Sequence, residues 1–132
     1  MRWLLDTDAV VHALRGKHRD TMRGRLQARS PEEFCVSAVT VAELLYGAAC
    51  SREPESTRDL VQALLEPYDI PAFDAEAAAH HARVRHTLRS QPIGERDLLI
   101  AAIALANDLV LVTSNAREFG RVSDLRWEDW TK

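Results

Sequence analysis

Short apolar runs alternate along this chain with longer segments of helical period. Arg2-Trp3-Leu4-Leu5, Phe34-Cys35-Val36-Ser37, residues 68–73 and Leu109-Val110-Leu111-Val112 read as buried strands, and Leu125-Arg126-Trp127 as a last strand at an edge. Between them the pattern predicts helices. The first covers residues 9–14, with Asp8 as N-cap and Gly16 as its stop. Residues 18–29 are helical but sparsely apolar, and Ser30-Pro31 breaks the chain. Residues 39–49 form a long apolar helix in which Glu43 is the one charge. Ser56 caps an amphipathic helix that presents Leu60, Val61, Leu64 and Leu65 on one face and ends at Pro67. Asp74 caps a helix running from residue 75 to about 88.

The most informative stretch follows the turn Pro92-Ile93-Gly94. From Leu98 to Ala106 the sequence is apolar on every face of a helix, so that helix must be enclosed. Asp97 sits where the turn becomes the first helical turn. An isolated anion beside a buried helix costs several kcal/mol unless it is paired or holds a cation. Strands alternating with helices predict an α/β fold: a three-layer α/β/α arrangement over a short central parallel sheet of four to five strands. Residues 1–132 are expected to form one domain.

Composition narrows the class without deciding it. The hydrophobic fraction is 46% and the charged fraction 28%, as in an ordinary globular protein. No apolar run approaches the roughly 18 residues of a membrane span, and Met1 to Asp6 lacks a signal-peptide core. A cytoplasmic location is therefore expected. Cys35 and Cys50 both lie in apolar segments, read as core thiols, and their spacing does not suit structural zinc. The net charge of −3 is uneven. Residues 1–29 carry seven basic and three acidic side chains, residues 30–75 two and nine, and residues 76–132 eight of each.

Candidate chemistry gathers at one end of the predicted sheet. Asp6 and Asp8 follow the first strand. Ser37 follows the second, with Thr40 and Glu43 three and six residues on. Thr113 and Asn115 follow the strand at 109–112, and Asp97 opens the helix leading into it. Ligands of open α/β sheets bind outside the carboxyl ends of the strands. Clustered carboxylates raise one another's pKa unless a cation compensates them. An all-oxygen set suits Mg²⁺ or Mn²⁺ rather than zinc, and such ions work mostly on phosphate esters. His80, His81 and His86 lack a ligand spacing and read as surface residues.

Four segments carry a resemblance: Leu4-Leu5-Asp6-Thr7-Asp8; Ser37 to Leu44 with Tyr46-Gly47-Ala48; Ile93-Gly94-Glu95-Arg96-Asp97-Leu98-Leu99-Ile100-Ala101-Ala102; and Val112 to Phe119. In that order they resemble the successive motifs of PIN-domain nucleases, more narrowly VapC-type toxins of bacterial toxin–antitoxin pairs. Leu125 to Trp130 also resembles the family's ending. The resemblance implies that Asp6, Glu43 and Asp97 form an acidic metal-binding triad and that Asn115 is a fourth polar site position. Thr7, Thr40 and Thr113 match hydroxyl positions that orient carboxylates or water. Asp8 departs from the pattern, since such toxins more often carry Asn there. The resemblance further implies cleavage of RNA such as tRNA, a cognate antitoxin as inhibitor, and a homodimer.

Basic residues should frame the acidic pocket if RNA enters it. Arg83, Arg85, Arg89, Arg96 and Arg117 are candidates, with those of residues 15–29. The apolar face at Leu60 to Leu65 and the Tyr46 helix offer a groove for a partner segment. A rival reading uses the same strand end. Leu5-Asp6-Thr7-Asp8 also resembles the nucleophile motif of haloacid-dehalogenase-like phosphohydrolases, with Asp6 as nucleophile and Val112-Thr113 as the second motif. That chemistry requires a later lysine, and after Thr113 only Lys132 remains. A non-catalytic interaction domain is a third reading, against which the acidic triad speaks.

Overall fold

Three apolar tripeptides build the centre of the molecule: β1 (Trp3–Leu5), β2 (Phe34–Val36) and β3 (Val110–Val112) are buried throughout. With β4 (Trp127–Glu128) they form a parallel sheet in the order β2-β1-β3-β4. The structure is a computed structural model and describes residues 2–132. Side chains alternate across the sheet, as strand geometry requires. Leu4, Cys35 and Leu111 point into one core cluster, whereas Trp3, Leu5, Phe34, Val36, Val110 and Val112 point into the other. Each face is covered by helices, which is why these strands lack a polar face.

The first cluster lies under α5 (Ala75–Thr87), α6 (Glu95–Ala106) and α7 (Ala116–Phe119). Leu98, Ile100 and the run Ala101 to Ala104 of α6 are all buried, as its uniformly apolar sequence requires. The second cluster lies under α1 (Thr7–Leu14), α2 (Arg19–Gln27), α4 (Pro54–Leu65) and part of α3 (Ala38–Ala49). Trp3, Phe34 and Trp130 meet there with ring centroids 5.7–6.0 Å apart. Arg29 stacks over Trp3 and Trp130, and Arg25 over Trp130. These two arginines of the basic N-terminal segment therefore fasten Trp130 to α2 and to the turn that follows it.

Five expectations need correction. Residues 68–73 do not form a strand: Pro71 has no N–H to donate, and contact with β2 shrinks to one bridge between Cys35 and Asp69 and two bonds, Val36 N–H to Asp69 O and Ala38 N–H to Pro71 O. The sheet accordingly has four strands. The last strand starts two residues late, at Trp127, because Leu125 turns into the core. The cap of α1 is Asp6, whose carboxylate accepts from Thr7 N–H at 2.8 Å, and Asp8 lies inside the first turn. α4 begins at Pro54, not at Ser56, because proline suits the first helical position and needs no partner for an N–H. Cys50 is exposed at the end of α3, and only Cys35 is a core thiol. Gly16 does stop α1, with φ of +91°, a conformation that favours glycine.

Candidate active site

At the carboxyl ends of the parallel strands, the backbone turns into helices at three points. Asp6 leaves β1 and caps α1; it is buried, with its own N–H bonded to Val112 O at 2.9 Å. Ser37 leaves β2 and caps α3, accepting from Thr40 N–H at 3.1 Å. Helical spacing then puts Glu43 one turn beyond Thr40 on the same face. Thr113 leaves β3, buried, and its backbone N–H bonds Glu128 O at 3.0 Å. Gly94 opens α6, which brings Asp97 to the same place.

Hydroxyl groups hold the carboxylates. Thr113 donates to Asp6 Oδ2 at 2.8 Å, so both Asp6 oxygens accept a hydrogen bond. Thr7 donates to Glu43 Oε1 at 2.7 Å and lies 3.1 Å from the Thr40 hydroxyl, itself 3.3 Å from that of Ser37. A hydroxyl has one proton. With Thr7's proton given to Glu43, the Thr40 hydroxyl is the donor in the contact between them. Asn115 donates its amide to Asp97 Oδ2 at 3.2 Å and its backbone N–H to the Thr113 hydroxyl at 3.0 Å. Asp8 Oδ2 accepts from both the backbone N–H (3.1 Å) and the hydroxyl (2.6 Å) of Ser114, bracing α1 against the loop after β3. Asp8 Oδ1 is buried and has no hydrogen-bond partner.

The electrostatics are those of crowded acids. Burial and then the charge of Asp8 push the Asp6 carboxyl from 3.8 up to about 7, against the opposing bonds from Thr113 and Thr7. Asp97 is raised by burial and then by Glu118, with Arg96 opposing and Glu43 and Asp8 adding to the rise. Glu43 meets the Arg96 guanidinium at the cleft mouth.

The residues singled out in the sequence converge only in part. Asp6, Thr7, Asp8, Glu43, Arg96, Asp97 and Asn115 line one cleft of about 410 Å³, and Thr40 and Thr113 lie buried behind it. Of the predicted RNA-facing arginines, only Arg96 lines that cleft. Arg83 pairs with Asp124, Arg85 and Arg89 line a separate surface hollow, and Arg117 is exposed on α7. Two side chains escaped the sequence reading. His12 lines the cleft from one turn beyond Asp8, and Glu118 acts on Asp97 from one turn beyond Asn115. Their helical spacing from residues already named was the available signal.

The PIN domain family matches residues 3–125 of this chain, the span that holds Asp6, Glu43, Asp97 and Asn115. The chain belongs to the PIN-domain family, in its VapC branch. The tRNA(fMet)-specific endonuclease VapC of Shigella flexneri is 35% identical, covering 99% of both chains. Ribonuclease VapC2 of Haemophilus influenzae is 36% identical over 98% of both. Among solved structures, VapBC-1 from nontypeable Haemophilus influenzae superposes with a TM-score of 0.89 at 34% identity over the whole of both chains. DNA-bound VapBC from Salmonella typhimurium gives 0.88 at 32% identity over 98% of each.

In this VapC-type chain the cleft opens into a larger groove of about 820 Å³ between α1, α3 and α4. Thr7, Val11, Glu43 and Arg96 line both. Tyr46 and Leu60, 73% and 59% exposed, stand along the groove. Among the described residues no helix is long and apolar enough to cross a membrane.

Proposed function

We propose that residues 1–132 act as one nuclease domain, a divalent-cation-dependent endoribonuclease that serves in the cytoplasm as the toxin of a toxin–antitoxin pair. The observation that carries this reading is the cleft where Asp6, Glu43, Asp97 and Asn115 meet at the carboxyl end of the sheet. The names of the relatives, ribonuclease and tRNA(fMet)-specific endonuclease, support RNA as the substrate class. The VapBC complexes support a cognate antitoxin as partner.

The residues fit Mg²⁺ or Mn²⁺. Every donor is oxygen, as hard cations require. Asp8 Oδ1 is buried without a partner, and the carboxyls of Asp6 and Asp97 are raised first by burial and then by neighbouring acids, a rise that a cation would offset. Among the described residues no three acids close around one point, and Glu43 is engaged by Arg96. Asp6, Glu43 and Asp97 are the proposed ligands. A bound ion supplies Lewis acidity, making water a stronger nucleophile near neutral pH and offsetting charge on the phosphoryl oxygens.

The chain's own residues do the positioning. Thr7 N–H and Thr113 fix Asp6, Thr7 with Thr40 behind it fixes Glu43, and Asn115 fixes Asp97. Among the described residues lining the cleft there is no serine, cysteine or lysine to act as a nucleophile. A phosphohydrolase using Asp6 covalently leaves Glu43 and Asp97 without a role and needs a later lysine, where after Thr113 the sequence holds only Lys132. Attack by water leaves 5′-phosphate and 3′-hydroxyl ends. Mapping the termini of RNA cut by antitoxin-free protein, with and without EDTA, tests the proposal: cyclic phosphate ends, or undiminished cutting in EDTA, overturn it.

A further inference from the structure

Arg96 is the one arginine among the described residues lining the cleft, and it also lines the adjoining groove. Its side chain is 72% exposed, yet Nη1 pairs with Oε2 of Glu43, whose side chain is only 18% exposed. The other oxygen of Glu43 already accepts the Thr7 hydroxyl. Arg96 is thus the cationic partner of Glu43. Its backbone is fixed in the first turn of α6, beside Asp97, and its long side chain is largely exposed to solvent.

We propose that Arg96 works in two positions: on Glu43 in the cation-free protein, and on a phosphate of the RNA strand once Glu43 has exchanged that partner for a divalent cation. The inference rests on the metal-dependent reading above and adds a competition to it. One Glu43 oxygen cannot serve the guanidinium and an ion at full strength together. An ion pair open to solvent at its arginine end is held weakly, so the exchange costs little. The released guanidinium then stands at the mouth of a cleft walled by carboxylates, where an incoming phosphodiester needs a positive contact. Its planar fork matches two phosphate oxygens.

Two measurements on Arg96→Ala and Arg96→Lys test this. The first is Mn²⁺ binding by calorimetry without RNA. The Ala variant should bind about 1.4- to fivefold more tightly than wild type, the range for a solvent-exposed ion pair, and the Lys variant should return towards wild type. The second is binding of a short single-stranded oligoribonucleotide, with Ca²⁺ present to slow cleavage. The Ala variant should bind more weakly, and its log–log salt dependence should be shallower by about 0.7, the loss of one phosphate contact. Unchanged Mn²⁺ affinity in the Ala variant, or unchanged RNA affinity and salt slope, overturns the proposal. A wild-type protein that binds no Mn²⁺ overturns the metal-dependent reading itself, and the inference with it.

Discussion

The Thr113 hydroxyl donates to Oδ2 of Asp6 at 2.8 Å, tying the end of β3 to the end of β1 at the floor of the cleft. That bond favours the charged form of a carboxyl that burial and the charge of Asp8 nonetheless hold at about 7. Thr113→Val keeps the shape and removes the donor. In chelator-treated protein Asp6 should then titrate at still higher pH by NMR, and Mg²⁺-supported cleavage at neutral pH should fall about tenfold, the worth of one hydrogen bond to a charged group. An unmoved Asp6 titration would show that the contact does not orient the charge.

The same carboxyl sets a pH dependence of stability. Its folded value lies above the ordinary 3.8, so the folded state holds a proton that the unfolded chain releases. The associated stability is fully present below 3.8, is lost as pH rises to about 7, and then stays lost. The loss is at most about 4 kcal/mol. Denaturant unfolding of cation-free protein should therefore show Asp6→Asn as more stable than wild type at pH 8, with the advantage shrinking towards pH 4. Parallel stability curves for the two proteins would contradict this.

Calcium should substitute poorly for magnesium. It takes more ligands at longer distances and is the weaker Lewis acid. Cleavage rates measured with each ion at saturation should rank Mg²⁺ and Mn²⁺ well above Ca²⁺. Equal rates would mean that the acids serve some purpose other than organising attack.

The apolar groove joined to the cleft is the proposed seat of an antitoxin segment, from which a basic side chain would reach Asp6, Glu43 or Asp97. Leu60→Asp and Tyr46→Asp place charge on its exposed apolar wall and should weaken the antitoxin complex at least about tenfold, while the free protein still cuts RNA. Replacing single Arg or Lys residues of the antitoxin tail with Ala separates charge from bulk. If none changes inhibition while the complex stays intact, the block is steric. Sedimentation as a monomer at tens of micromolar would remove the proposed homodimer from the account.

The parts of this fold that were legible in the sequence are those where one demand acts alone. Leu98 to Ala104 had to be enclosed, and Trp3–Leu5 had to lie between two layers. Asp6, Asp97 and Asn115 could be placed together because each follows a strand or opens a helix, and Glu43 because it lies one turn beyond Thr40 in the helix after β2. Elements failed where two demands competed. Tyr68 to Phe73 has strand-forming residues, but Pro71 withholds the N–H that a ladder needs. Asp6 and Asp8 are both good caps, and only the tertiary bonds to Thr113 and Ser114 decide between them. Arg25, Arg29 and Arg83 looked like nucleic-acid contacts, but tryptophan faces and Asp124 take them up, across distances in sequence that local pattern does not register.

Asp97→Asn tests the central claim most directly. The substitution keeps the volume, removes one charge from a carboxyl raised by burial and by Glu118, and leaves the Asn115 side chain a partner. Antitoxin-free wild-type and Asp97→Asn proteins should be compared for cleavage of the same RNA in Mg²⁺, with thermal melts run alongside. The account predicts no detectable cleavage by the variant and a melting temperature equal to or above that of wild type, since repulsion among the acids is relieved. A folded Asp97→Asn protein that cuts RNA at the wild-type rate would contradict it.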